Sequence, residues 1–91
     1  MITIYKYRVQ LEEIFTVALP AGAEFLSVQV QNGNPEMWFR VDTSRDELPQ
    51  LFGICGTGAE LPAKLRSAPF KGTFQLNGGD YVFHLFGGIY V

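Results

Sequence analysis

The stretch Glu24-Phe25-Leu26-Ser27-Val28-Gln29-Val30-Gln31-Asn32-Gly33-Asn34-Pro35-Glu36-Met37-Trp38-Phe39-Arg40-Val41-Asp42 decides the fold of this chain. In its first arm Leu26, Val28 and Val30 alternate with Ser27, Gln29 and Gln31. In its second arm Met37, Phe39 and Val41 alternate with Trp38, Arg40 and Asp42. Successive Cβ atoms of a strand point to opposite faces, so a period of two is the mark of a half-buried strand. Between the arms lies Asn32-Gly33-Asn34-Pro35. Asn and Gly tolerate the positive φ of a tight hairpin turn, and Pro35 keeps the turn from continuing as helix. The stretch predicts a β-hairpin with Leu26, Val28 and Val30 on one face.

On the N-terminal side, Ile2 to Val9 is rich in β-branched and aromatic residues and predicts a strand. Tyr5, Tyr7 and Val9 share one of its faces, with Lys6 and Arg8 opposite. Ile14 to Leu19 predicts a second strand, and the polar break at Leu11-Glu12-Glu13 predicts that these two pair as a hairpin. Pro20-Ala21-Gly22 ends the second strand.

On the C-terminal side, Thr43 to Gln50 turns polar and predicts an exposed loop. Ser44 with Glu47 has the spacing of a helix cap, although Pro49 would stop any helix at once. Leu51 to Cys55 predicts a short buried strand. Leu61, Leu65 and Ala68 are spaced by four and three, which predicts one or two helical turns between Pro62 and Pro69. Phe70 to Leu76 follows as a strand with Phe70, Gly72, Phe74 and Leu76 on one face. Asn77-Gly78-Gly79-Asp80 is a turn, and Tyr81 to Phe86 returns. Gly87-Gly88 marks a break or bulge before the β-prone Ile89-Tyr90-Val91. The reading is all-β: residues 1–91 form a single β-domain, a small antiparallel β-sandwich or partly open barrel. It holds about seven short strands in three hairpins and one short helical turn.

Composition narrows the function. Hydrophobic residues at 47% and charged residues at 18% belong to a globular chain rather than a disordered one. Lys6, Arg8, Arg40, Arg45, Lys64, Arg66 and Lys71 are dispersed under a net charge of −2, so the basic face of a duplex nucleic-acid binder is missing. No apolar run approaches the ~18 residues that span a bilayer, and no leader pattern opens the chain. With the single Cys55, which excludes an internal disulfide, this makes the cytoplasm the expected compartment.

The residues that carry chemistry are few. His84 is the only histidine, on a face shared with Val82 and Phe86, and no local signature joins it to Cys55 as a nucleophilic dyad. The histidine, the cysteine and the scattered carboxylates make no metal-ligand spacing, and no cofactor motif is present. Glu12-Glu13 and Asp46-Glu47 are adjacent, so their side chains face apart. Gly53-Ile54-Cys55-Gly56-Thr57-Gly58 lacks the Gly-Lys-Ser/Thr ending of a phosphate loop. Gly56, Thr57 and Gly58 therefore mark either a sharp turn or a loop whose N–H groups and hydroxyl meet an anion or a partner. Trp38 and Arg40 lie on the more polar face of their strand. Such residues serve either packing or the anchoring of a ligand or partner. The candidate binding residues are Trp38, Arg40, Gly56, Thr57, Gly58 and His84, with none expected to be catalytic.

A set of segments in fixed order carries a resemblance over nearly the whole chain. These are Ile4-Tyr5-Lys6-Tyr7, Leu19-Pro20-Ala21-Gly22-Ala23, Leu26 to Gln31, Pro35-Glu36-Met37-Trp38, Val41-Asp42, Gly56-Thr57-Gly58, Gly72-Thr73-Phe74-Gln75 and Val82 to Phe86. Together they resemble a family of small uncharacterised proteins of tailed bacteriophages and prophages. The family has no assigned activity and lends no catalytic residues. The resemblance implies a viral origin and action in the host bacterial cytoplasm. The expectation is a non-enzymatic binding protein that inhibits or sequesters a host protein or small ligand, as of antiviral defence. Unpaired edge strands would allow a homo-oligomer. The alternative is a structural or accessory component of the virion or its assembly.

Overall fold

A computed structural model describes residues Met1–Val91 as seven strands. They are β1 (Ile2–Arg8), β2 (Phe15–Pro20), β3 (Glu24–Gln31), β4 (Asn34–Asp42), β5 (Glu47–Gly56), β6 (Phe70–Leu76) and β7 (Tyr81–Tyr90). Two antiparallel sheets, β1-β4-β3 and β2-β5-β7-β6, face each other as a sandwich and do not close into a barrel. Helical structure is limited to single 3-10 turns at Ala63–Leu65 and Asn77–Gly79.

The β3–β4 hairpin forms, with a tighter turn than four residues. Gln31 pairs with Asn34, and the two residues between them, Asn32 and Gly33, have φ of 51° and 79°. Positive φ at both positions is the type I′ geometry that matches strand twist. Asn34 and Pro35 thus belong to β4. An alanine at Gly33 would meet nothing within 4 Å, so only its backbone conformation resists. Gly33→Ala is expected to cost about 1 kcal/mol, read as a lower urea midpoint at unchanged slope.

The simple alternation in β3 does not survive. A bulge between Phe25 and Ser27 makes Leu26 the extra residue. Two residues facing one invert the pattern on one side of the irregularity. Leu26 is therefore exposed and Phe25 turns inward to meet Phe39 edge-on at 5.5 Å, while Val28 beyond the bulge is buried and Val30, on the same face but next to the turn, is exposed. The same device acts in β6, where the register shifts between Phe70 and Gly72. Phe74 faces the core, but Phe70 stands outside against Phe86 at 5.4 Å, so the two do not share a face. In β7 the step from Phe52↔Gly87 to Leu51↔Ile89 makes Gly88 the bulge, and the strand runs on to Tyr90.

Of the three expected hairpins the first is absent. β1 pairs with β4 from Ile2↔Asp42 to Arg8↔Glu36, and β2 pairs with β5 from Phe15↔Phe52 to Pro20↔Glu47. Residues 9–14 form an arch from one sheet to the other, anchored by the buried Val9, whose N–H donates to the Pro35 carbonyl at 3.0 Å. The arch lets β1 and β2 present apolar faces to the core from opposite sides, burying more than a lone hairpin would.

The polar segment 43–50 is half strand. Glu47–Gln50 pairs with β2, leaving Thr43–Asp46 as the connection. Glu47 is exposed and Gln50 is buried, and the polar character of both disguises a backbone already held by a ladder. Pro49 is compatible because β7 joins β5 only from Gln50 onward, and the Pro49 carbonyl still accepts from Val91 N–H at 3.3 Å. Ser44 caps no helix; its N–H and hydroxyl donate to Asp42 Oδ1 at 3.0 and 2.7 Å. These two bonds, hydroxyl first, hold the Asp42 carboxyl below its usual range.

Phe39 sits at the centre of the core, edge-on to Tyr7, Phe25 and Phe52. Burial, then the charges of Glu47 and Tyr5, push the Tyr7 phenol above its ordinary value of 10.0. The folded state thus prefers the neutral phenol. This contribution is complete below the unfolded value and is lost as pH rises through the higher folded one. Alkaline unfolding of Tyr7→Phe, followed by circular dichroism, is expected to show a shallower fall above pH ~10 than the parent.

Candidate functional site

The six residues singled out in the sequence fall on two separate sheets. Trp38 and Arg40 occupy the outward face of β4, the middle strand of the three-stranded sheet. Across from Trp38 stand Lys6 and Ser27; across from Arg40 stand Ile4 and Glu24. Arg40 donates to the Glu24 carboxylate, which holds the guanidinium in its charged form. Glu36, on the same face, has a side chain only 5% exposed and accepts from Arg8 Nε at 2.8 Å. Lys6 donates to Gln31 at 2.6 Å, and the strand register carries it across β4 over Glu36. The two arginines are paired with carboxylates within the chain, Lys6 is bonded to a neutral amide, and Trp38 is half-buried among them. The face forms a closed polar ladder in which cross-strand pairs stabilise the sheet.

His84 lies on the outward face of the four-stranded sheet. It is directly opposite Cys55 of β5 and Thr73 of β6. Its Nε2 is 2.7 Å from Thr57 Oγ1 and its Nδ1 is 2.9 Å from Thr73 Oγ1. A hydroxyl both donates and accepts, so the ring nitrogens are satisfied in either tautomer. The clamp ties the Gly56-Thr57-Gly58 turn to β6 across β7, helped by Thr57 N–H donating to the Val82 carbonyl at 3.2 Å. Cys55 is a cross-strand neighbour of His84, but its thiol points to the carbonyls of Gly56 and Ala59 at 3.4 and 3.5 Å. The two do not form a nucleophile–base pair. No group of three His, Cys, Asp or Glu side chains converges on a metal position.

A separate concavity lies at the end of the sandwich where the arch, the β3–β4 turn and the start of β7 come together. This cleft of about 550 Å³ is walled by Leu11, Gly33, Leu76, Asn77, Tyr81 and Phe83. Tyr81 and Phe83 alternate along β7, so both rings lie on one face. Their planes are within 12° of parallel and their centroids are 6.4 Å apart. Phe83 is backed by Phe74 at 5.8 Å, whereas Tyr81 is 55% exposed.

Two smaller clefts share these walls. One, of about 220 Å³, runs from Leu11 and Phe83 toward Cys55, Glu12, Glu13 and Glu60. The other, of about 270 Å³, adds Gly56, Thr57 and Asp80 beside Tyr81. Gly56 and Thr57 thus join this region, while His84 supports it from behind and Trp38 and Arg40 stand apart. Sequence reasoning passed over Tyr81 and Phe83 because an alternating aromatic pair reads as core. The available signal was their position directly after a turn, where the core runs out. No helix is long and apolar enough to cross a membrane.

Over residues 1–90 the chain matches the model of a domain of unknown function, DUF7352, and it belongs to that family. No curated protein and no solved structure matches it.

Proposed function

We propose that this member of an uncharacterised family is a phage-encoded, non-enzymatic binding protein. In this reading it acts in the host bacterial cytoplasm by occupying or sequestering a host protein or small ligand. The resemblance to tailed-phage proteins supplies the setting, and a factor of antiviral defence is the natural target there. The observation that carries the binding role is the aromatic-walled cleft at the end of the sandwich. Its volume of about 550 Å³ lies within the range of ligand sites, and its apolar walls with a few polar groups at the rim have their composition. A two-sheet scaffold holds those walls in place, because Phe83 is tied into the core through Phe74.

Self-association fits the same reading. β1 is an edge strand of seven residues without proline or bulge, and it exposes Ile2, Ile4 and Tyr5. Such an edge is a template for a further strand. Light scattering across a concentration series is expected to show a dimer, and a strict monomer at high concentration removes this part of the reading.

Native mass spectrometry of the protein recovered from infected cells tests the whole. The expected result is an additional stoichiometric mass, lost in Tyr81→Ala. Bare protein throughout, measurable turnover of a compound, or enrichment of the chain in purified virions would overturn it.

A further inference from the structure

Resting on that binding reading, the geometry points to a planar cation as the group the cleft takes, namely the guanidinium of an arginine side chain on a partner protein. The first observation is electrostatic. The three adjoining clefts bring Glu12, Glu13, Glu60 and Asp80 to their walls, and neither lysine nor arginine lines any of them. Glu60 is paired with Arg66 at 3.3 Å, but Glu12, Glu13 and Asp80 take part in none of the chain's salt bridges. This contrasts with the outward face of the three-stranded sheet, where Glu24 and Glu36 are each neutralised by arginine. The end of the sandwich therefore keeps uncompensated negative charge, which attracts a cation and repels a phosphate-bearing ligand.

The second observation is shape. Tyr81 and Phe83 present nearly parallel rings on the wall of the largest cleft. A guanidinium is flat, weakly hydrated and stacks on aromatic faces, whereas an ammonium is compact and strongly hydrated. Asp80 directly precedes Tyr81 and lines the neighbouring cleft with it. One of its oxygens, Oδ2, accepts from Asn77 Nδ2 at 3.0 Å, which fixes the carboxylate while leaving Oδ1 for a ligand N–H. Leu11 and Leu76 line the adjoining cleft of about 550 Å³, on the other side of the Tyr81 and Phe83 rings from Asp80's cleft, and are placed to meet the aliphatic stem of the arginine.

The test titrates the folded protein with acetyl-Ala-Arg-Ala-amide and with its citrulline and lysine counterparts, following backbone amide chemical shifts. Shifts should cluster at Leu11, Gly33 and Leu76–Phe83. The citrulline peptide, equal in shape but neutral, should bind at least ~10-fold more weakly and the lysine peptide several-fold more weakly. Tyr81→Ala should abolish the shifts; Asp80→Asn, which keeps the bond to Asn77, should weaken binding several-fold and flatten its salt dependence. Equal binding of the citrulline peptide would overturn the guanidinium assignment yet leave the cleft as a binding site. No shift at these residues with any peptide would also overturn the assignment. The binding reading then stands or falls separately, on the mass retained from infected cells.

Discussion

Gly53→Ala is expected to lose most or all of the folded population. A Cβ on Gly53 would lie 2.0 Å from the Glu13 carbonyl oxygen and 2.7 Å from Leu65 Cδ1. Gly53 lies in β5 opposite Phe86 of β7, one residue beyond Phe52, where the ladder to β2 ends, so its backbone is held by β7 on one side and by the adjoining ladder along the strand. The arch that brings the chain to β2 passes directly over it, and the 3-10 turn at Ala63–Leu65 seats the fully buried Leu65 beside it. Leu65 has rotamers to try, whereas the Glu13 carbonyl moves only with the backbone leading into the buried Phe15. Overpacking usually costs about 1–3 kcal/mol and more where backbone must shift.

A loss above ~3 kcal/mol is a large share of the roughly 5–14 kcal/mol total for a domain of this length. Gly58→Ala is the comparison: its φ is +85° but nothing lies within 4 Å, so it should cost only about 1 kcal/mol. Urea unfolding followed by circular dichroism distinguishes the two. Adding Leu65→Ala should not rescue Gly53→Ala, because the obstructing atom is main chain. Equal midpoints for the two glycine variants would refute the tight packing of the arch on β5.

Phe39→Ala is the second large effect. Phe39 is 1% exposed and its ring is met edge-on by Tyr7, Phe25 and Phe52. Tyr7 comes from β1, Phe25 from β3 and Phe52 from the opposite sheet, so one ring joins three strands around its own. Truncation removes the transfer energy of the ring and leaves a cavity that neighbours on separate strands cannot close, at about 3–5 kcal/mol. For a domain of this size that lowers the melting temperature by roughly 15–30 °C. Phe70→Ala is the contrast: Phe70 is 58% exposed and its ring meets one aromatic neighbour, Phe86, so the change should stay within ~1 kcal/mol. Calorimetry of both variants checks the ordering, and a Phe39 variant as stable as the Phe70 variant would mean that the core is centred elsewhere.

Local signals brought the reading to strands and turns. Asn32-Gly33 specified its hairpin because only residues tolerant of positive φ make that turn, and Met37, Phe39 and Val41 point inward as their alternation demands. The single helical turn between Pro62 and Pro69 was legible from the spacing of Leu61, Leu65 and Ala68. The candidate site was much less legible. Gly56 and Thr57 stood out as a turn and do reach the cleft region, but Trp38 and Arg40 stood out by residue type and proved to be part of a self-satisfied ladder. Tyr81 and Phe83 carry the same pattern as any buried pair. Only their place at the open end of the sandwich makes them accessible.

What the amino-acid order determined by itself was therefore the all-β class, most of the turns and the inward face of β4, since each depends on φ preferences and side-chain direction within a few residues. Tertiary structure alone decided that β1 and β2 belong to different sheets, that bulges turn Leu26 and Phe70 outward, and that the polar Glu47–Gln50 is strand. The physical reason is common to all three. Strand partners are chosen by which apolar faces can be buried together, and that contest is settled between segments distant in sequence, where local periodicity has no information.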